Sequence, residues 1–453
     1  MKLAGICATL LILVAGTLGS DPHGEEAVKE KVDAYAMSYA KTGDFSGCIL
    51  IRKAEETLYK GCFGKASYRF GLQNTISTKF KIGSISKQIT ASAILLLEED
   101  GKLETTDLLS EHLGKTGPSD RITIHHLLTH TSGLVDIFAL PNFRKINRKS
   151  LSLEEVTAEI FGNDLVSEPG KTYAYSNSGY TVLARIIEKV SGKSYGDFLE
   201  ERIFGPLKMS STGDYFDGPV IENLAEGYDP AGYDGVTRPE YVNDVFFRGS
   251  GSIYSSVGDV EKWVNALRDG KILKSASQKK LFTEHSGGYG YGISIYRSNE
   301  NDVFGHDGRI SGYIADYLHY RQEDVTIIIL GNLQTGVADF LRRDLAAIVF
   351  GKEYKSRAKS TPARGNYPEG FEKLAGKYEF APTLSVYVDV LDGKLKARAN
   401  EGSYSEMVPL TDGKYFSRML YSYIDFRTDD EGVPTTMIWI NNDGNKFEGK
   451  KTE

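Results

Sequence analysis

The chain has 453 residues, a formal net charge of −7, and is 40% hydrophobic and 25% charged. Its length exceeds one ordinary domain and its balance suits a buried core, so two or three globular units are expected, not a fibrous or disordered chain. An acidic balance with no basic run and no aromatic–basic stripe argues against a nucleic-acid partner.

Residues 1–20 read as a secretory signal peptide. Lys2 forms a short basic start, Leu3 to Leu18 is apolar or small, and Gly19-Ser20-Asp21-Pro22 adds small residues and a polar break. At about 16 residues the run is short of the ~20 that span a bilayer. A secreted or periplasmic protein is expected; an uncleaved leader would instead tether it to a membrane.

Ala27 to Tyr39 follows as a helix. Gly47–Arg52 and Thr57–Phe63 read as a strand hairpin around Ala54-Glu55-Glu56, which sets Cys48 opposite Cys62. Export permits a disulfide there, and two small buried hydrophobes are the other reading. Ser84-Ile85-Ser86-Lys87 comes next, with the helical run Gln88 to Leu97 behind it. Residues three apart share a helix face, so Ser84 Oγ and Lys87 Nζ can meet. A hydroxyl becomes a nucleophile when a neighbouring base takes its proton, and a lysine of lowered pKa is such a base. A helix cap followed by a surface lysine is the plainer reading.

A largely helical middle is expected over about 90–270. His126 and His130 stand four apart, as zinc ligands can, but Leu127 occupies the glutamate place of the zinc-protease pattern, and both read as structural. No metal and no cofactor is expected. Glu168-Pro169-Gly170 marks a turn, and the loop after it carries Tyr175-Ser176-Asn177. Its phenol can relay a proton and its carboxamide can hold a substrate carbonyl; a loop tyrosine and an asparagine cap is the alternative. His306-Asp307-Gly308 precedes the strand-like runs Ile314 to Tyr320 and Val325 to Leu330. His306 can donate a hydrogen bond or a charge to a substrate, or be structural, and Gly308 leaves room for a substrate backbone. Val337 to Phe350 reads as a closing helix.

Lys352 to Pro368 is polar and basic and reads as a linker. Residues 369–453 change character: Leu384 to Val390, Lys394 to Arg398, Tyr415 to Leu420 and Thr436 to Ile440 read as strands. Asp392-Gly393, Asp412-Gly413, Glu431-Gly432 and Asp443-Gly444 supply turns, which points to a small β-barrel or sandwich.

Ser84/Lys87, Tyr175/Asn177 and His306/Gly308 resemble, in order, the three motifs of the penicillin-recognising serine hydrolases. That branch includes class C β-lactamases, D-Ala-D-Ala carboxypeptidases and family VIII esterases. Ile124 to Leu134, Phe204 to Met209 and Gly249 to Ser256 are similar to connecting stretches of the same family. The resemblance covers about 25–350, and residues 369–453 are similar to the lipocalin-like domains appended to some members. It implies an α+β fold, with an antiparallel sheet packed against a helical region over 21–351 and a separate all-β unit. It also implies catalytic Ser84, Lys87 and Tyr175, substrate-binding Asn177, His306 and Gly308, and an oxyanion hole from the backbone N–H groups of Ser84 and Arg309.

Two departures bear on the activity. His306 replaces the lysine usual in class C β-lactamases, and Arg309 replaces a small residue, where it is expected to narrow the site or bind an anionic group. Hydrolysis of amide, D-amino-acid peptide or ester bonds in a small-molecule or peptide substrate is therefore expected ahead of β-lactamase activity. A non-catalytic penicillin-binding or cell-wall sensing protein, and an envelope protein organised by its C-terminal unit, are the competing readings. Homo-oligomers fit the sequence as well as a monomer does.

Overall fold

The computed structural model describes residues 22–215, 220–359, 364–382, 384–400 and 404–453. The leader expected at 1–20 lies outside the described residues. Helix α1 (Pro22–Lys41) extends the expected helix at both ends. It buries Val32, Tyr35, Ala36 and Tyr39, the i, i+3, i+4, i+7 stripe of an amphipathic helix.

Six antiparallel strands form the main sheet: β1 (Gly47–Lys53), β2 (Glu56–Phe63), β3 (Ser294–Ser298), β4 (Asn301–Ile310), β5 (Tyr313–Tyr320) and β6 (Val325–Gly331). Their order is β3-β4-β5-β6-β1-β2. β1 pairs with β6, Gly47 opposite Gly331, so segments distant in sequence close one sheet. Every residue of β6 is buried because both faces are covered. Ile328 and Leu330 meet the helical region, while Ile327 and Ile329 meet α1 and α5 (Ala338–Val349). In the β1–β2 hairpin Cys48 pairs with Cys62, and a disulfide joins them.

The helical region packs α2 (Ser86–Glu99), α3 (Asn177–Ser191) and α4 (Val257–Arg268) on one face of the sheet. Ser86 to Leu97 are buried all round α2, as expected of a central core helix. The middle is less uniformly helical than its composition suggests, with short strands such as Asp229–Ala231 and Ile253–Ser255.

The C-terminal sheet has nine strands: β7 (Gly376–Ala381), β8 (Leu384–Leu391), β9 (Lys394–Ala399), β10 (Ser405–Glu406), β11 (Val408–Pro409), β12 (Tyr415–Ser417), β13 (Ser422–Thr428), β14 (Pro434–Ile440) and β15 (Lys446–Lys451). Its order is β10-β9-β8-β7-β15-β14-β13-β12-β11. The two outermost strands are separated in the chain only by Met407, so the sheet curls into a nearly closed barrel. Tyr378, Val388, Leu395, Met407, Ile424 and Met437 fill it. At the β8–β9 turn Asp392 and Gly393 have φ of 55° and 70°, the paired positive values of a type I′ hairpin.

The strand expected to run to Leu420 stops at Ser417. Arg418 turns inward instead and donates to Asp44 Oδ1 at 2.8 Å. Lys359 Nζ reaches the same oxygen at 3.0 Å, and Tyr421 Oη donates to Oδ2 at 3.1 Å. Asp44, Lys359 and Arg418 are all buried, so this cluster holds the barrel and the segment before it against the first unit. That segment, read as a linker, is pinned further by Arg357, which pairs with Asp344 of α5 at 2.7 Å.

Candidate active site

Ser84 sits in the single 3₁₀ turn Gly83–Ile85 that leads into α2. Gly83 has a φ of +53°, which disfavours a side chain, and a Cβ there would lie 2.9 Å from the Arg309 backbone nitrogen. A Cβ at Gly308 would lie 2.1 Å from the Ile82 carbonyl oxygen and 3.1 Å from the Ser84 nitrogen. Two glycines thus bring the nucleophile turn and β4 into backbone contact, with the Ser84 and Arg309 amides at the crossing.

Lys87, one turn along α2, is fully buried. Its Nζ lies 2.9 Å from Ser84 Oγ, 2.9 Å from Asn177 Oδ1 and 2.9 Å from the Ser250 carbonyl oxygen. Burial lowers its pKa to about 7, while the charges of Asp136 and Asp307 partly oppose the fall. Asn177 is fixed by Asp136, whose Oδ2 accepts from its backbone N–H at 2.7 Å and from Nδ2 at 3.1 Å. A carboxylate cannot donate, so Nδ2 must face Asp136 and Oδ1 must face Lys87. Asn177 Oδ1 and the Ser250 carbonyl only accept. In a neutral lysine they take both N–H groups and leave the lone pair for the Ser84 hydroxyl.

Tyr175 closes the other side. Its ring is 40% exposed at the mouth and lies 4.8 Å from Lys87 Nζ. Burial raises the phenol's pKa, and a hydrogen bond with Ser84 partly opposes that rise. The loop carrying it is held by His130, whose backbone carbonyl accepts from Ala174 N–H at 2.9 Å and whose Nδ1 accepts from Ser176 N–H at 3.0 Å. The His130 ring packs 4.4 Å from Tyr175 and 5.1 Å from Tyr180, with a positive φ of 58°. His126 instead caps the short helix Ile124–Leu128 through Thr123. Among the described residues no group of three or more His, Cys, Asp or Glu could hold a metal ion.

His306 is buried on β4. Its Nδ1 lies 2.5 Å from the Asp307 carbonyl oxygen and its Nε2 lies 2.8 Å from Tyr289 Oη. A carbonyl only accepts, so Nδ1 carries the proton and Nε2 accepts from Tyr289. Burial lowers the ring's pKa to about 4, so His306 is neutral near pH 7. The Arg309 guanidinium pairs with Asp339 of α5 at 2.7 Å.

Ser84, Tyr175, Asn177, His306 and Arg309 line one cavity of about 700 Å³, with Gly308 behind its wall. Phe138 and Phe247 line it with Tyr173, Tyr289 and Tyr296, and among the described residues no barrel residue contributes. β3 pairs with β4 only as far as Ser294 opposite Gly305, so the β4 edge from His306 to Ile310 opens to the cavity. Asp136, Ser250, Tyr289 and His130 complete the site but carry no motif. Their only sequence signal was the family-like stretches around Ser250 and His130.

The Beta-lactamase family model matches residues 32–351. The chain belongs to the Beta-lactamase family. A Bacillus subtilis (strain 168) protein described as a penicillin-binding protein, PbpX, is 32% identical over 299 residues, 66% of this chain and 73% of that one. The octameric penicillin-binding protein homologue from Pyrococcus abyssi shares the fold, with a TM-score of 0.63 and 24% identity over 93% of this chain and 99% of that one. D-amino acid amidase from Ochrobactrum anthropi SV3, complexed with D-phenylalanine, has a TM-score of 0.61 and 25% identity over 72% of this chain and 97% of that one.

Proposed function

We propose that this Beta-lactamase family member is a secreted serine hydrolase that cleaves amide, D-amino-acid peptide or ester bonds through an acyl-enzyme on Ser84. The observation that carries the reading is the buried Lys87 Nζ, 2.9 Å from Ser84 Oγ and lowered to about 7.

Neutral Lys87 takes the Ser84 proton as Oγ attacks the substrate carbonyl carbon. The oxyanion that forms is held by the backbone N–H groups of Ser84 and Arg309; one such donor is typically worth ~10²–10³ in turnover. The leaving amine or alkoxide departs with a proton delivered through Tyr175, which Lys87 restores. Water then gives its proton to the same pair and attacks the ester carbonyl carbon, and Lys87 passes that proton to Ser84 Oγ as the acyl–oxygen bond breaks. A phenol raised by burial stays protonated, which favours Lys87 as base and Tyr175 as relay. Asn177 orients Lys87, and neutral His306 orients Tyr289. The open β4 edge offers backbone groups to an extended substrate.

The D-amino acid amidase neighbour supports amides as substrates. The Cys48–Cys62 disulfide supports export, because disulfides persist in oxidising compartments. Purified from its own secretory host, the protein should then start near residue 20 by N-terminal mass; an intact leader would contradict export with cleavage. Turnover of a short-chain activated ester, a D-amino-acid amide, a D-Ala-D-Ala peptide and a cephalosporin, each with Ser84→Ala, tests the chemistry. Amide or ester turnover lost in the variant supports the reading, and cephalosporin as the best substrate reverses the order of activities.

A further inference from the structure

The cavity wraps over the open edge of β4 onto the sheet's other face. Along β4, Phe304 and Ile310 pack with the helical region, whereas Val303 packs with α1 and α5. Alternation therefore puts Asp307 and Arg309 on the α5 side. Tyr296, opposite Val303, shares that side. Asp307 and Arg309 flank Gly308, which touches the nucleophile turn, and they line the same cavity as Tyr296.

The charges there are uneven. Arg309 is committed to Asp339 at 2.7 Å. Asp316, directly across from Asp307, is 1% exposed, lies 3.3 Å from Arg342, and has neither carboxylate oxygen in a hydrogen bond. The Asp307 carboxylate is exposed, and among the described residues it has neither a hydrogen bond nor an ion pair. On the inner side His306 donates to a backbone carbonyl, and Lys87 is enclosed by its three partners. The cavity thus presents a carboxylate without a hydrogen bond or ion pair and, on the same face, the Tyr296 ring; Arg342, within electrostatic range of both, is paired with Asp316. A carboxylate-bearing substrate would find repulsion, and a primary ammonium would find a charge partner and a ring.

We propose that Asp307, with Tyr296, forms an ammonium-recognition subsite that selects substrates carrying a protonated amine near the scissile carbonyl, as an aminoacyl amide does. The proposal rests on the Ser84 hydrolase reading and goes further, to the substrate's charge.

Three matched anilides test it: D-phenylalanyl p-nitroanilide, its N-acetyl form and its N-succinyl form, which are cationic, neutral and anionic. Wild-type kcat/KM should fall in that order, with the cationic substrate ahead of the neutral one on the order of tenfold. Asp307→Asn should bring that ratio close to one, and added salt should shrink it in wild type. Equal use of cationic and neutral substrates, preference for the anionic one, or an Asp307→Asn variant that keeps the ratio would overturn it. Calorimetric binding of D-phenylalanine amide and its N-acetyl form to Ser84→Ala reads the subsite without chemistry. Tighter binding of the amine with no turnover in wild type would refute the hydrolase and keep the subsite; equal binding would remove the subsite alone.

Discussion

Titrating the base is the sharpest perturbation of this site. Lys87 is an ordinary lysine driven from 10.5 to about 7 by burial, with Asp136 and Asp307 partly opposing the shift. A group with a pKa of 7 is neutral in roughly 90% of molecules at pH 8 and roughly 1% at pH 5, whereas at 10.5 it would be about 0.3% neutral at pH 8. Acylation needs the neutral form, so its rate constant should rise about tenfold per pH unit up to about 7 and then level off. Stopped-flow acylation with a chromogenic ester from pH 5 to 10 reads this directly. A flat profile, or a rise continuing past pH 10, would refute the assignment of Lys87 as base. The same shift affects stability. Between about 7 and 10.5 the unfolded chain binds the extra proton, so stability rises with pH across that window. Below it Lys87 costs on the order of 4–5 kcal/mol, from the fall from 10.5 to about 7. In denaturation, subtracting Lys87→Met from wild type should isolate that slope, and identical slopes would argue against a depressed lysine.

Tyr175→Phe should cut turnover by ~10²–10⁴ yet keep the acid limb near pH 7, because that limb belongs to Lys87; its disappearance would reassign the base. Gly308→Ala places a methyl against the Ile82 carbonyl and the Ser84 nitrogen, neither of which can yield without moving the oxyanion donors. It should lower turnover by ~10²–10³, and wild-type turnover would show that this crossing does not matter. Asp44→Ala strands Arg418 and Lys359 in a buried site. A loss of ~3–5 kcal/mol, measured by urea unfolding, and earlier proteolytic release of the barrel should follow; an unchanged midpoint and cleavage rate would deny the cluster its docking role.

The three motifs were legible because each is short and its spacing carries chemistry: Ser84 and Lys87 stand three apart, and Tyr175 ends the loop that leads into α3, whose first residue is Asn177. The disulfide register followed from hairpin geometry, and four Asp-Gly or Glu-Gly turns marked barrel hairpins. Roles set by long-range partners were less visible. The contact of Asn177 with Lys87 depends on Asp136, which fixes its amide and lies far away in sequence. The charge state of His306 depends on burial and on Tyr289, which no local pattern announces. β15 was missed because Lys446-Phe447-Glu448-Gly449-Lys450-Lys451 carries a single apolar side chain, Phe447, too few to establish the two-residue period. The segment before the barrel read as a linker by composition, but Arg357 and Lys359 find acidic partners that are distant in sequence.

The central claim is a covalent acyl group on Ser84. Intact-mass spectrometry of wild type and Ser84→Ala, quenched after brief exposure to a short-chain activated ester, a D-amino-acid amide and a penicillin at pH 8, tests it most directly. The account predicts a mass gain of one acyl group on wild type with at least one of the three, absent from Ser84→Ala and much weaker at pH 5. No adduct or turnover with any of them, or an equal adduct on the variant, would contradict it.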